Sequence, residues 1–293
     1  MPFTQKFLDY LALEKRYSLH TIKAYKADLS LLSDYLDEVY STTINRANHS
    51  MIRSWLVHEI NRGNSPRTVN RKITTLKSFY KFAVKEEAIK INPTLRLSST
   101  KTSKSIPSFV TVDEMNKLLD KTIFTDDYTG KRDRLIVEIF YSTGIRLSEL
   151  INIKIKDIDF SKKQLKVLGK RNKERIIPLT KELVNSLNNF IEIRNSMSVK
   201  NDSYLLLTDK GKKLNPTLVY KTMNKLISGV TSLKKTSPHV LRHTFATHML
   251  NNGADLNVIK ELLGHASLSA TEVYTHNSID KLKKVFNNAH PRA

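Results

Sequence analysis

Between Ser237 and Asn277 the chain reads SPHVLRHTFATHMLNNGADLNVIKELLGHASLSATEVYTHN, and this run holds a guanidinium, several imidazoles and a phenol at suggestive intervals. His239 and Arg242 stand three apart, so on a helix they project from one face. Ser237-Pro238 ahead of them is the pairing expected where a helix begins, with Ser as N-cap and Pro at the first helical position. Val258, Ile259, Leu262 and Leu263 have helical apolar spacing and predict a second helix starting at Asp255. Gly264 stops it, leaving His265 just past its C-terminus, and Tyr274 follows in a short TEVYTHN segment. Permanent cation, near-neutral titrating rings and phenol are a donor set suited to a phosphodiester. The competing reading is a metal, because His239 and His243 stand four apart. That pair lacks the Glu of HExxH and has cationic Arg242 between its members, so no metal site is expected. His243, His248 and His276 are read as structural or exposed.

The elements that must position these groups are mostly helical. Phe3, Phe7, Leu8, Leu11 and Leu13 suggest a first amphipathic helix. Ser18 caps a second with Ile22, Tyr25, Leu29, Leu32 and Leu36 on its buried stripe. A third spans about Ser50 to Ile60 around Trp55. Ser65-Pro66 opens a fourth with Val69, Ile73, Leu76, Phe79 and Phe82 inward and Arg67, Arg71, Lys72 and Lys77 outward. Pro93 closes this part, and SSTKTSKSIPS (Ser98–Ser108) is polar, lacks apolar periodicity and reads as a linker. Thr111-Val-Asp-Glu114 is a capping box before Met115, Leu118 and Leu119. Leu135–Tyr141 reads as a buried helix ending at Thr143-Gly144. Alternation over Ile153–Val167 and Glu174–Leu179 predicts a small antiparallel sheet whose last two strands form a hairpin across Gly169–Lys173. Helices then start at Thr180 and at Asn215-Pro216, and Ser278 caps a short amphipathic tail with Ile279, Leu282 and Val285.

Charge names the partner class. The chain has 49 Lys and Arg against 28 Asp and Glu, a net +21 over 293 residues. Eighteen basic and nine acidic residues precede residue 106, and 31 and 19 follow it, so the excess is spread over both parts. A polyanion contacted by both domains is the expected partner. Lys23, Arg67, Arg71 and Lys72, with Lys173 in the hairpin turn, are candidate contacts to DNA phosphates rather than readers of bases. Cysteine is absent, which excludes disulfides and thiolate metal sites. The N-terminus has no long apolar core of a signal peptide, and no stretch approaches a membrane span, so a cytoplasmic location without membrane attachment is expected.

The HVLRH and LLGH motifs and the following Tyr resemble the C-terminal signature of the tyrosine recombinase, or phage integrase, family. The resemblance extends to TGIRLSEL (Thr143–Leu150), to LGKRNKERIIPL (Leu168–Leu179) and to the final AHPRA, which is similar to the tail of the XerC/XerD group. It implies a mainly α fold. Residues 1–97 would be a four-helix SAM-like core-binding domain that binds DNA, 98–108 a linker, and 109–293 a mainly helical catalytic domain with a small antiparallel sheet.

The resemblance also implies a six-member site. Arg146 and Arg242 match the two family arginines, suited to charge growing on the non-bridging oxygens. Lys170 matches the general acid on the departing 5′ oxygen, with Lys173 its competitor in the same loop. The family pattern usually has Gly where Arg171 stands. His239 matches the histidine exchanging a proton with the tyrosine, His265 the one hydrogen-bonding the phosphate, and Tyr274 the nucleophile. The implied activity is site-specific recombination of duplex DNA through a 3′-phosphotyrosine. It needs no cofactor, consistent with the absence of a GxxxxGK[ST] loop or a GxGxxG turn. Implied partners are the DNA site, a tetramer of itself or of a paralogous recombinase, and an FtsK-type DNA translocase for chromosome dimer resolution. The alternatives are an integrase or invertase of a mobile element, a type IB topoisomerase-like activity, and a DNA-binding protein that keeps the fold without catalysis.

Overall fold

The computed structural model describes residues 3–101, 108–120, 123–169, 174–196, 203–234, 236–264 and 276–292. The chain divides into two compact units, Met1–Ser105 and Ile106–Ala293.

The first unit is four helices: α1 (Phe3–Leu13), α2 (Leu19–Tyr40), α3 (His49–Asn61) and α4 (Pro66–Lys85). Their starts follow local chemistry. Ser18 accepts the Thr21 N–H, Asn48 that of Met51, and Ser65 that of Thr68, with Pro66 opening α4. Phe7, Leu11, Leu29, Leu32, Leu36, Trp55, Leu76 and Phe79 fill the core. Buried Tyr80 donates its hydroxyl to the Ile44 carbonyl at 2.8 Å, so its polar end is not left unpaired. Leu13, expected on the apolar stripe of α1, is exposed, because it is the helix's last residue and the chain turns away there. In the linker expected at 98–108, Thr100 is tied to α4 by hydrogen bonds in both directions with the Asn70 side chain.

One expectation in this unit is corrected. Lys72 does not share an outer face with Arg67, Arg71 and Lys77: it is 3% exposed, whereas those three are exposed. At 100° per residue, position 72 falls on the arc of Val69, Ile73 and Leu76. Its ammonium lies 2.9 Å from Glu59 Oε2 and 5.1 Å from the Trp55 ring centroid. Arg71 is paired with buried Asp28, which also accepts from Thr75 at 2.8 Å. Lys72, so enclosed, has no path to a phosphate.

The second unit is built on α6 (Tyr128–Thr143), flanked by α5 (Val112–Leu119), α8 (Lys181–Asn195) and α10 (Pro238–Asn251). Every residue of α6 from Leu135 to Thr143 is buried, as befits a helix apolar nearly all round. The expected capping box at Thr111 and Glu114 is formed in both directions. After α7 (Leu147–Leu150) comes a three-stranded antiparallel sheet in sequence order: β1 (Ile158–Asp159), β2 (Gln164–Leu168) and β3 (Glu174–Pro178). Leu165 faces Ile177 and Val167 faces Arg175 across the hairpin. The remaining helices are α9 (Pro216–Ser228), α11 (Leu256–Leu263) and α12 (His276–Ala289).

α12 packs on its own unit: Leu282, Phe286 and Ala289 meet Phe245 and Met249 of α10 and Ile259, Leu262 and Leu263 of α11. It begins two residues before Ser278, so that serine lies within the helix and not at its cap. Among the described residues no helix is long and apolar enough to cross a membrane.

Candidate active site

Three turns of local structure deliver the first arginine. α6 ends at Gly144, whose φ of 59° is the left-handed conformation that stops a helix. A Cβ there would lie 2.5 Å from Phe245 Cδ1 and 2.7 Å from Leu263 Cδ2, so only glycine allows this approach. Buried Ile145 follows, and Arg146 then caps α7. Glu149, at the third position of that helix, accepts the Arg146 backbone N–H at 2.8 Å and its Nη1 at 2.9 Å. Arg146 Nη2 donates to the Gly264 carbonyl at 3.1 Å.

The second arginine comes from α10. Pro238 opens that helix as expected, although the Ser237 side chain makes no capping hydrogen bond, its backbone being fully extended. His239 is exposed in the first turn, and Arg242 points inward three residues later. Arg242 Nη1 donates to the Gly144 carbonyl at 2.6 Å and Nη2 to the Leu263 carbonyl at 2.7 Å.

A third guanidinium joins them. Arg175 on β3 is 5% exposed; its Nε donates to the Leu262 carbonyl at 2.8 Å, and its two Nη atoms grip both Glu149 oxygens, each at 2.8 Å. The carbonyls of Leu262, Leu263 and Gly264 are therefore taken by Arg175, Arg242 and Arg146 in turn. A helix C-terminus leaves its last carbonyls without intrahelical partners and carries the negative end of the helix dipole, so cations collect there. α11 itself is set by Asp255 at its start and by Gly264, at φ 64°, at its end, as the sequence predicts.

The electrostatics follow from three cations around one carboxylate. Burial alone would raise the Glu149 carboxyl, but the hydrogen bonds and charge of Arg175, then the hydrogen bonds of Arg146, bring it down to about 2. Burial lowers Arg242 to about 10, and the charge of Arg146 adds to the fall while Glu149 opposes it; the guanidinium stays protonated at neutral pH. A site with excess fixed positive charge and partly exposed N–H donors on Arg146 and Arg242 can offer charge-assisted hydrogen bonds to the oxygens of an anion.

The structure thus brings Arg146 and Arg242 together, with His239 one turn away from the latter on the same helix. Lys170, Lys173, His265 and Tyr274 lie outside the described residues. Glu149 and Arg175 were not singled out from the sequence. The signal was present for Arg175: on a strand with period two it falls on the same face as buried Ile177, and a charge at an inward position needs a buried partner. His248, read as structural, is buried and hydrogen-bonded through Nδ1 to the Tyr141 hydroxyl at 2.9 Å.

Comparison with known proteins accounts for this arrangement. Residues 108–280 match the phage integrase family, and residues 4–87 match the phage integrase N-terminal SAM-like domain. The tyrosine recombinase XerC of Thermodesulfovibrio yellowstonii is 37% identical and aligns over 99% of this chain and 96% of its own. XerC of Staphylococcus carnosus is 39% identical over 99% of this chain and 97% of its own, and XerD of Staphylococcus aureus 37% over 99% and 98%. A XerH site-specific recombinase bound to its palindromic difH substrate shares the fold, with a TM-score of 0.72, 24% identity and coverage of 96% of this chain and 83% of that one. The Tn1549 transposon integrase in complex with transposon right end DNA does so with a TM-score of 0.73, 19% identity and coverage of 97% and 99%. A helical module ahead of an arginine-lined catalytic unit, matched over nearly the whole chain by proteins of one kind, places this chain in the phage integrase family: it is a tyrosine recombinase.

Proposed function

We propose that this recombinase cuts and rejoins duplex DNA at a specific site with Tyr274 as nucleophile, in the manner of the XerC and XerD proteins it resembles. The observation that carries this reading is the convergence of the Arg146 and Arg242 guanidiniums on the C-terminus of α11, directly ahead of the segment holding His265 and Tyr274. In the proposed step the Tyr274 phenolic oxygen attacks phosphorus, passing its proton to His239. The bond from phosphorus to the 5′ oxygen breaks, and Lys170 gives that oxygen a proton. Arg146 and Arg242, with His265, hold the non-bridging oxygens as charge accumulates on them. The product is a 3′-phosphotyrosine and a free 5′ hydroxyl. Because the ester keeps the energy of the broken bond, the reverse attack by a new 5′ hydroxyl needs neither nucleotide nor metal.

The likeness to XerC and XerD over both units supports chromosome dimer resolution as the role, rather than mobility of an element. In that role the enzyme works in the cytoplasm as a tetramer on two DNA sites, alone or with a paralogous recombinase, and answers to an FtsK-type translocase. The basic surface of both units supports duplex DNA as the partner.

The test uses a nicked suicide duplex bearing the recombination site, recovered by sequencing chromosomal fragments that become covalently attached to the protein. Wild type should accumulate attached to a DNA 3′ end in the presence of EDTA, since the short released fragment cannot return its 5′ hydroxyl. Tyr274→Phe removes only the hydroxyl and should bind the duplex without forming the adduct. A covalent adduct on Tyr274→Phe would end this reading of the site.

A further inference from the structure

We infer that Arg175 is a positioning residue for recombination: it ties the β2–β3 hairpin, Glu149 and the end of α11 into one unit, and through them sets the two phosphate arginines. The inference rests on the assignment of Arg146 and Arg242 to the phosphate. Arg175 is too enclosed to touch the substrate itself, and its reach is what singles it out. From β3 it donates to a carbonyl of α11 and to both oxygens of a carboxylate on α7. Glu149 in turn holds the backbone N–H and a side-chain nitrogen of Arg146. The adjoining carbonyls of α11 orient Arg242 and Arg146. Rotating Arg146 therefore disturbs Glu149, which Arg175 holds from the other side, and rotating Arg242 disturbs the same helix end, whose preceding carbonyl Arg175 holds.

The geometry asks for a guanidinium. A planar fork can face a carboxylate with its two Nη atoms while its Nε points to a carbonyl; an ammonium offers one point and cannot span both. Gly264 fits around it: a Cβ there would stand 3.2 Å from Arg175 Cδ and Nη1, a tight approach at a φ of 64° that glycine makes without strain. Buried ion pairs are a poor source of stability compared with apolar side chains of the same volume. Three hydrogen bonds to two partners on separate elements, Glu149 on α7 and Leu262 on α11, make this one a fixture of geometry. Its position at the second residue of β3 also ties the base of the loop bearing Lys170 to the arginine pair.

The pH dependence provides a readout that a purely structural role would not move. Glu149 is faced by Arg146 from its own helix, Arg175 from β3 and Arg242 from α10, while α11 presents carbonyls; α6 and α9, which also pack on α7, give its carboxylate no charged partner among the described residues. Without Arg175, burial is opposed only by the hydrogen bonds of Arg146 and the charge of Arg242, so the carboxyl rises and protonates in mild acid. Protonated Glu149 releases Arg146.

The experiment measures single-turnover adduct formation on the nicked duplex for full-length Arg175→Met and Arg175→Lys across pH, with duplex affinity and thermal unfolding alongside. Both variants should bind the duplex about as wild type does and form the adduct about 10²-fold more slowly at neutral pH, the scale of a small misplacement of catalytic groups. Arg175→Met should also lose rate between about pH 6 and 5 more steeply than wild type does. A wild-type rate, a slowed rate with an unchanged pH profile, full rescue by Lys, or failure of both variants to fold would each overturn the inference. Arg146→Ala separates the two readings: if it forms the adduct at the wild-type rate, the phosphate assignment itself is wrong, whatever Arg175 does.

Discussion

Arg242 Nη2 donates to the Leu263 carbonyl at 2.7 Å, joining the middle of one helix to the end of the next across 21 residues. The same side chain reaches back to Gly144, 98 residues earlier, at 2.6 Å. One guanidinium therefore sets the spacing between the turn that presents Arg146 and the helix end that leads into the stretch carrying His265 and Tyr274. Arg242→Ala should reduce adduct formation by about 10²–10³-fold, the usual consequence of losing one preorganised transition-state donor. Arg242→Lys should recover little, because an ammonium cannot keep both carbonyls and a phosphate oxygen. Single-turnover cleavage of the nicked duplex checks both.

Gly144 offers a backbone test of the same corner. Gly144→Ala must place a methyl where Phe245 and Leu263 already are, at a positive φ. Destabilisation of roughly 1–3 kcal/mol is expected from overpacking and strain. The Arg242 acceptor moves with it, so cleavage should fall further than duplex binding. Thermal unfolding and adduct rate, measured on the same preparation, separate the two effects.

Lys170 and Lys173 compete for the role of general acid. Lys170→Ala should be slow on an ordinary duplex and close to wild type when the 5′ bridging oxygen is replaced by sulfur, a leaving group that needs no proton. If Lys173→Ala shows that rescue instead, the acid is the neighbouring lysine.

The basic surface and the buried lysine of the first unit should behave oppositely. Arg67→Ala should weaken duplex binding and reduce the salt slope by about one counterion. Lys72→Ala takes the nearer cation from buried Glu59, leaving Arg62 at 3.7 Å, and should cost about 3–5 kcal/mol of stability in that unit. Trp55 is the single tryptophan of the chain, so its fluorescence follows unfolding of this unit directly.

His290 makes stability pH-dependent in the second unit. Burial, partly opposed by a hydrogen bond to the Tyr141 carbonyl, lowers its pKa from 6.5 to about 4. Its ring stacks on Phe286 of α12 with centroids 5.0 Å apart. Folding thus favours the neutral ring: its contribution is fully present above about pH 6.5 and is lost as pH falls through 4. A difference of that size amounts to roughly 3 kcal/mol. His290→Gln should flatten the fall in melting temperature between pH 7 and 4.

The helices and their ends could be read from the sequence because they depend on neighbours within a turn. Ser18, Ser65, Thr111 and Asp255 cap where their spacing said they would, and Gly144 and Gly264 stop their helices by conformation alone. The family likewise lay in ordered motifs, and with it the pairing of Arg146 and Arg242. Tertiary structure alone decided which charges were taken. Arg175 finds Leu262 at a separation of 87 residues and Glu149 at 26, and no local pattern specifies either partner. Lys72 looked like surface because it adjoins Arg71, yet a rotation of 100° turns it inward to where α3 supplies Glu59 and Trp55. α12 had an apolar face that any groove could have covered; in this chain Phe245 and Met249 of α10 and Ile259, Leu262 and Leu263 of α11 cover it, a meeting of three helices that no local pattern specifies.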